Sequence, residues 1–437
     1  MPLPTKKVVR DVLYGFVELD EQEVEIMNHP AFQRLRRIKQ LAFTDMVYPG
    51  ACHTRFEHSL GVMYMATRMY DHVVDNYESV LREVGEGIGI DSQADFDIEK
   101  KKARKIIRLA ALLHDVGHAP FSHSGEDIMP FRNQDKDLRY KHEDYSAKII
   151  EECFKDIIEN YSEAKRLGIS VHNITSLIDD KSSVKGAGGL HFGLKPIISS
   201  QLDADRADYL LRDSIHIGVD YGKYDMWRLI NCMALAKDED DEIVFAIAEK
   251  GLEVVESFII ARYHMFRQIY YHKVREIYDY HAGKALAEVL PELGHPNSVL
   301  PPPSNIKEYL ELDDWRILGA ISNNDGRHCE IIKKRSHFKC RPEGRVSNPG
   351  ADDIRKFLEY ENEYKDKEHF IHSIGVYSKD KEASPWYKEG RIKILNEDGT
   401  LVKLEDKSKL IESLMKDKRK MMALYLPRSE EECYGQV

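Results

Sequence analysis

The sequence predicts a mainly all-α protein with a large helical core and a smaller C-terminal α+β lobe. Three observations carry this prediction. Apolar residues recur at helical spacing from Asn28 to about Leu290, a proline-rich stretch ends that pattern, and short strand-like runs follow it. The length of 437 residues allows one large core with appended parts, or two to three domains.

Helices are predicted where apolar residues return every three to four positions, because such residues share one helix face. The longest stripe contains Phe56, Leu60, Met63, Thr67, Tyr70 and Val74. Similar stripes begin at Phe32, Ile106, Tyr145 and Leu252. We therefore expect a core of about ten helices.

The end of the helical pattern predicts the domain boundaries. Residues 291–304 contain five prolines, which do not continue a helix. We expect an N-terminal segment and helix at 1–48, a helical core at 49–290, a connector at 291–350 and a C-terminal α+β lobe at 351–437. Within that lobe, RIKIL at 391–395 and LVKL at 401–404 are typical of strands.

Composition limits the classes of function. A net charge of −11 argues against a broad nucleic-acid surface, although 64 Lys and Arg leave room for a local phosphate pocket. Six cysteines without a CxxC pair are most simply reduced thiols. The N-terminus has no apolar signal region, and no apolar run approaches the roughly 18 residues of a membrane span. We expect a cytoplasmic protein that is not bound to a membrane.

Histidines and aspartates recur in four short segments that could meet at a metal ion. They contain His58, the pair His114 and Asp115, His142, and Asp205. Imidazole and carboxylate ligands favour first-row metals such as Fe, Mn, Ni or Zn. The pair follows the apolar run 109–113, where two unpaired titratable groups would cost several kcal/mol. A divalent cation would compensate them.

The spaced H, HD and D segments resemble the HD-domain metal phosphohydrolases, and within them the deoxynucleoside triphosphate (dNTP) triphosphohydrolases. The matching segments are QLAFTDMVYPGACHTRFEHSLGV, LLHDVGHAPFSHSGE, HEDYS, DADRADYLLRDS and RYHMFRQIYYHKV. The resemblance implies one divalent transition metal bound by His58, His114, Asp115 and Asp205. It also implies hydrolysis of dNTPs to deoxynucleoside and inorganic triphosphate, with Mg²⁺ accompanying the substrate.

The leaving 5′ oxygen needs a proton, and histidine is the side chain best suited to supply one near neutral pH. His123 is our first choice, because Glu126 follows three residues later and can orient its ring in a helical segment. The family usually has Asp at the position of Glu126. The resemblance assigns catalytic roles to His142 and His118 as well, and support of the metal site is the alternative for both.

The resemblance also implies the substrate contacts. Arg55 matches the arginine at the α-phosphate, and Arg206 and Arg262 match positions at the β- and γ-phosphates. A solvated salt bridge is the alternative for each arginine. Arg206 stands where the family more often has Lys.

Deoxyribose recognition involves a second group of side chains. Asp205, Tyr209 and Asp213 are four apart, so a helix would present them along one stripe. The resemblance assigns Tyr209, Asp213 and Gln40 to the sugar and its 3′-hydroxyl, and Tyr270 to the space under C2′. For Tyr270, an ordinary core tyrosine is the alternative.

An N-terminal regulatory surface is a further implication of the resemblance. Lys7, Val8, Gln33 and Arg36 match residues that bind an activating nucleotide, GTP or a dNTP, and build a homotetramer in relatives. We therefore expect a homo-oligomer, most simply a tetramer.

Three other interpretations stay open from the sequence. The chain could be an HD phosphohydrolase acting on another nucleotide, as a monophosphatase or phosphodiesterase. It could instead be a nucleotide- or nucleic-acid-binding regulator that keeps the fold without turnover. A zinc site could also be drawn from His328, Cys329, His337 and Cys340, although their spacing matches no known module.

Overall fold

The computed structural model describes residues 7–87, 89–132, 138–178, 189–237, 243–347, 350–366, 368–374, 387–416 and 421–428. Helices predominate among them, which confirms the mainly all-α prediction. The helices are α1 (Glu21–Asn28), α2 (Pro30–Gln33), α3 (Arg55–Asn76), α4 (Glu78–Gly87), α5 (Gln93–Leu113), α6 (His142–Ile149), α7 (Lys155–Asn160), α8 (Ser162–Leu167), α9 (Val171–Ile178), α10 (Leu190–Gly193), α11 (Ala204–Ile217), α12 (Met226–Asn231), α13 (Leu252–Met265), α14 (Lys273–Val289), α15 (Ile306–Leu310), α16 (Asp314–Asn323), α17 (Arg327–Lys334), α18 (Ala351–Asn362), α19 (Leu404–Lys407) and α20 (Lys409–Lys416).

The strands form three small sheets. The strands are β1 (Lys7–Asp11), β2 (Gly15–Leu19), β3 (Met233–Lys237), β4 (Ile243–Ala248), β5 (Lys339–Ser347), β6 (Phe370–Ile374), β7 (Lys393–Leu395), β8 (Leu401–Lys403) and β9 (Met421–Leu426). Strands β1 and β2 form an antiparallel hairpin. The second sheet has the order β3-β4-β7-β8, and the third has the order β5-β9-β6.

The core of the molecule is built around α3 and α5, against which α11 and several shorter helices pack. All six residues of the predicted stripe on α3 are buried. The helix begins where Thr54 donates its backbone N–H to the Glu57 carboxylate (2.9 Å), which satisfies a group that has no partner within the helix. This packing brings the N-terminal end of α3, the C-terminal end of α5 and the first turn of α11 together.

Two features differ from the sequence interpretation. Residues 291–350, expected as a connector, carry α15, α16 and α17, and most of their buried apolar residues belong to the main apolar core. The hairpin β3–β4 interrupts the predicted helical core, and β4 pairs in parallel with β7 from the C-terminal lobe. The predicted domain boundaries stay predictions. None of the described helices has both the length and the apolar character that crossing a bilayer requires.

Candidate active site

The four predicted metal ligands meet at one point. His58 lies near the start of α3, His114 and Asp115 directly follow α5, and Asp205 lies in the first turn of α11. The His58 Nε2 atom lies 3.1 Å from Asp205 Oδ1 and 3.6 Å from Asp115 Oδ2. The His114 Nε2 atom lies 3.3 Å from Asp115 Oδ1. Two imidazoles and two carboxylates therefore face a common centre.

The donor set fits a divalent cation. Each imidazole uses Nδ1 for an internal hydrogen bond, from His58 to Asp208 (2.7 Å) and from His114 to the Ala111 carbonyl (2.8 Å). The two Nε2 atoms are buried and have no hydrogen-bond partner. A metal-binding histidine commonly has one nitrogen fixed in this way, so that the other can bind the ion. Both rings are oriented for metal binding.

The charges around His58 also favour a cation. Burial alone would lower the pKa of His58, but the nearby Asp205 and Asp208 carboxylates outweigh it and raise that pKa to about 10. Burial would likewise raise the pKa of Asp115, but Arg55 and two neighbouring histidines hold it well below its usual range. The centre is therefore rich in ionised carboxylates.

Asp208 supports this centre and was missed in the sequence. It is fully buried and lies one helical turn after Asp205 on α11. Its carboxylate accepts hydrogen bonds from His58, the Tyr14 hydroxyl and the Arg212 guanidinium. The sequence signal for Asp208 was its position in DADRAD, three residues after Asp205 and therefore on nearly the same helix face.

A second cluster lies beside the first. The Glu126 Oε1 atom accepts hydrogen bonds from His123 Nδ1 (3.1 Å) and from His142 Nδ1 (2.8 Å). The ring of His118 stacks on that of His142 at 3.9 Å, and its Nε2 atom lies 3.3 Å from Asp115 Oδ1. The expected contact between Glu126 and His123 is present, and Glu126 also holds His142, which was not expected.

The protonation of this cluster follows from its contacts. Burial alone would lower the pKa of His142, but the hydrogen bond with Glu126 and the nearby carboxylates raise it. The pKa of His118 lies well below its ordinary value because of burial and the charges of Arg55 and His142. The pKa of Glu126 is strongly lowered by the two histidines, although burial opposes this. Glu126 and His142 thus favour each other's charged forms.

The same four side chains form a second possible cation site by spacing. Ligand atoms of His118, His123, Glu126 and His142 lie within 4.8 Å of one another. Glu126 already accepts hydrogen bonds from two of these imidazoles, however. The arrangement is therefore also complete as a hydrogen-bonded acid–base cluster.

The short 3-10 helix that carries His123, Ser122–Ile128, begins with an unusual backbone. Phe121 and Ser122 both have left-handed conformations, with φ of 59° and 54°, which cost side-chain-bearing residues roughly 1–2 kcal/mol each. The buried Asp314 carboxylate accepts the Phe121 N–H (2.7 Å) and the Lys39 N–H (2.8 Å). Ser122 Oγ in turn accepts from Arg55 Nε (2.8 Å). Asp314, from the predicted connector, was not expected to contribute here.

A cavity of about 470 Å³ lies over both clusters. Its walls include nearly all of the predicted substrate residues, namely Gln40, Arg55, Arg206, Tyr209, Asp213 and Tyr270. Arg262 does not line the cavity. It is buried and donates to Gln201 Oε1 (3.1 Å).

The sugar-binding candidates form a connected group at one side of this cavity. The Tyr270 hydroxyl donates to Asp213 Oδ2 (2.6 Å), and the His53 Nε2 atom lies 2.8 Å from Asp213 Oδ1. The rings of Tyr209 and Tyr270 meet edge to face, with centroids 6.1 Å apart. Asp213 is therefore fixed by two buried partners, of which His53 was missed in the sequence.

The predicted regulatory residues lie in two separate pairs. Lys7 and Val8 are exposed on β1. Arg36 Nε donates to Gln33 Oε1 (2.9 Å) beyond α2. Among the described residues, no hydrogen bond or ion pair joins one pair to the other.

The alternative zinc site does not form. His328 contacts His281 Nδ1 (3.0 Å) and Glu368 (3.0 Å), while Arg428 donates to the His337 carbonyl (3.0 Å). In the part of the chain that the structure describes, these histidines and the nearby cysteines make no group with metal-ligand spacing.

Comparisons with known proteins identify the domains that this chain contains. The chain matches the HD domain family over residues 55–213 and the HD associated region over residues 224–436. It is 30% identical over 291 residues to the human deoxynucleoside triphosphate triphosphohydrolase SAMHD1, an alignment that covers 63% of this chain and 43% of the human protein.

Two solved structures resemble the whole chain. A hypothetical protein from Aquifex aeolicus is 30% identical with a TM-score of 0.69, covering 97% of both chains. A phosphohydrolase from Bacteroides thetaiotaomicron is 26% identical with a TM-score of 0.68, covering 97% of this chain and 100% of that one. Because the HD domain and its associated region together span most of the sequence, and the ligand geometry fits a metal, this chain belongs to the HD-domain phosphohydrolase family.

Proposed function

We propose that the protein hydrolyses dNTPs to deoxynucleoside and inorganic triphosphate in a metal-dependent reaction. The observation that carries this proposal is a single cavity, which combines a His and Asp metal centre, two arginines, an acid–base cluster and a tyrosine–aspartate pair. The similarity to SAMHD1, named for this activity, supports the choice of substrate.

The metal centre is assigned to His58, His114, Asp115 and Asp205. A bound Fe, Mn, Ni or Zn ion would polarise the α-phosphate and lower the pKa of a water that attacks phosphorus. The protein's own contribution is orientation, because Asp208 and the Ala111 carbonyl fix the two imidazoles before any ligand arrives.

The triphosphate is held by arginines at the cavity wall. Arg55 donates to Asp115 and to Ser122, so its guanidinium is fixed beside the α-phosphate position. Arg206 is tied to Asp203, the N-cap of α11, and faces the same cavity. We assign Arg262 as a third phosphate contact. To bind the triphosphate, which is accompanied by Mg²⁺, Arg262 would exchange its hydrogen bond with Gln201 for one with a phosphate oxygen.

Proton delivery to the leaving 5′ oxygen is assigned to His123. Its side chain is 63% exposed and borders the cavity, while Glu126 holds its Nδ1 atom. Nε2 is thereby left to face the substrate. His142 shares Glu126, which raises its pKa and favours a positive charge near the phosphates. The ring of His118 stacks on that of His142, and we assign His118 to the phosphate side as well.

Selection of deoxyribose is assigned to the group around Asp213. Tyr270 is 9% exposed and is held by Asp213, so its ring closes the space that a 2′-hydroxyl would need. Tyr209, Asp213 and Gln40 line the same cavity, and we assign them to the 3′ side of the sugar. A ribonucleotide would clash and leave its hydroxyl unpaired.

Product analysis tests the proposed reaction. Metal-loaded protein is incubated with each dNTP, alone and with GTP or a second dNTP, and the phosphate product is identified by chromatography. We expect inorganic triphosphate, and no turnover by Asp115→Asn. Release of phosphate or pyrophosphate would indicate another HD phosphohydrolase reaction, and binding without turnover would indicate a regulator.

A further inference from the structure

The N-terminal hairpin reaches the metal centre through its turn. Asp11 Oδ1 accepts the backbone N–H groups of Leu13 (2.8 Å) and Tyr14 (3.1 Å), which fixes the turn between β1 and β2. Gly15 completes it with a φ of 74°, a conformation that favours glycine. The turn directs Tyr14 towards α11, where its hydroxyl donates to Asp208 Oδ1 (2.7 Å).

The Asp208 carboxylate has all of its acceptor positions occupied. Oδ1 accepts from Tyr14 and from Arg212 Nη2 (2.9 Å), and Oδ2 accepts from His58 Nδ1 (2.7 Å) and from Arg212 Nε (2.8 Å). A carboxylate offers about four lone-pair positions, so removal of one donor changes how the others are held. Asp208, Arg212 and His58 are each 0% exposed, so water cannot easily take the place of a lost donor.

The hairpin controls two of these partners. Tyr14 binds Asp208 directly, and Asp11 Oδ2 accepts from Arg212 Nη1 (3.0 Å). His58 and Arg212, the other two donor residues, lie on α3 and α11. Among the described residues, the hairpin therefore supplies the hydrogen bond to Asp208 that comes from outside these two helices.

We propose that Tyr14 is a positioning residue for the metal ligand His58, which it orients through Asp208, so that docking of the N-terminal hairpin sets the affinity for the metal. The inference rests on the proposed role of His58. Because Tyr14 touches neither substrate nor metal, its effect is expected in metal affinity and in the geometry of the metal centre.

The test measures metal binding directly. The substitution Tyr14→Phe removes the hydroxyl but keeps the ring that stacks on Tyr64 (4.5 Å). The metal-free variant is titrated with Mn²⁺ by calorimetry. We expect affinity to fall about tenfold, since loss of a partner that supports a metal ligand usually costs 10–100-fold. The absorption spectrum of the Co²⁺-loaded variant should also differ from wild type.

Tyr224→Phe is the matched control. Tyr224 is also half-buried. Its hydroxyl donates to the carbonyl of Ala207 (2.7 Å), the residue before Asp208, and makes no hydrogen bond with the Asp208 carboxylate. Its Mn²⁺ affinity and Co²⁺ spectrum should match wild type. Equal losses in both variants would show a general effect of removing a buried hydroxyl and would overturn the inference.

A double-mutant cycle shows whether Tyr14 acts through Asp208. In an Asp208→Asn background, Tyr14→Phe should cause little further loss of Mn²⁺ affinity. Wild-type affinity in folded Tyr14→Phe, or full additivity in the cycle, contradicts the inference alone. Wild-type affinity in His58→Ala contradicts the ligand assignment and hence the proposed function.

Discussion

Asp115 connects the three parts of the site at the scale of single residues. Its carboxylate faces the two metal-ligand imidazoles, accepts from Arg55, and lies 3.3 Å from His118 Nε2. A change at Asp115 is therefore expected to affect both Arg55 and His118. Such coupling makes effects of single substitutions non-additive here.

Glu126→Gln should shift the pH dependence of turnover. Glu126 raises the pKa of His142, so its loss lowers that pKa and the imidazole loses its proton at lower pH. If the protonated cluster is required, the alkaline limb of the kcat profile moves to lower pH. The control is Glu152→Gln, which removes the negative charge from the ion pair of Lys148 and Glu152 on the surface. It should leave the profile unchanged. An unshifted profile in Glu126→Gln would remove this cluster from the catalytic step.

Tyr270→Ala should relax sugar selection. Loss of the ring should open the space beside C2′. The kcat/KM for ribonucleotides, divided by that for dNTPs, should therefore rise on the order of 10²-fold. Tyr270→Phe keeps the ring and loses only the bond to Asp213, so its ratio should stay near wild type. Hydrolysis of ATP and dATP at equal rates by the wild type would contradict the deoxyribose assignment.

The assigned metal ligands and most of the assigned substrate residues were proposed from sequence motifs and from the family resemblance, and the structure brings them together around one cavity. Motif spacing did not predict the residues that support them. Asp314 contacts Phe121 across 193 positions, and His53 contacts Asp213 across 160. Such contacts depend on how distant helices pack, which no local pattern encodes.

At the scale of elements, the approach of α3 to α11 depends on a missing side chain. A Cβ atom at Gly61 would lie 2.0 Å from Asp208 Oδ1 and 2.3 Å from Arg212 Nη2. Both groups are buried and fully hydrogen-bonded, so they cannot move aside without losing partners. Glycine at this position allows the carboxylate to reach His58.

Gly61→Ala should therefore destabilise the protein by more than about 2 kcal/mol, through overpacking and a broken buried network. Gly319 is a matched control, because it lies mid-helix in α16 and an added Cβ meets nothing within 4 Å. Gly319→Ala should stabilise by about 0.5–1 kcal/mol. The free energy of unfolding in urea measures both, and equal effects would contradict this account of the α3–α11 contact.

The elements themselves were predicted unevenly. Helix α3 followed from its apolar period, and its six stripe residues are all buried. The hairpin β3–β4 was missed because MALAK has no strand-like alternation. Its sheet is completed by β7, more than a hundred residues away, so tertiary pairing rather than local preference decides its structure.

At the scale of the whole molecule, the metal should contribute to stability, because three chain segments supply its ligands. Ligand binding to the folded state stabilises it by about 2.7 kcal/mol at 100 times the Kd. Chelation should therefore lower the Tm of the wild type, and reloading should restore it. His114→Ala should show neither this Tm response nor turnover. Full metal content and activity in His114→Ala would exclude the assigned ligand.

We expect the protein to assemble as a homotetramer. Val8 and Phe16 are 48% and 57% exposed on the outer face of the β1–β2 hairpin, while Val17 and Leu19 pack inwards. Exposed apolar residues on one face can form a subunit contact, so we expect the assembly to use this face of the hairpin. Phe16→Glu should reduce the mass measured by light scattering, whereas Ile98→Glu, at an equally exposed site on α5, should not. A monomeric wild type that is fully active, with and without GTP, would contradict the expected assembly, and the outer face of the hairpin would then need another explanation.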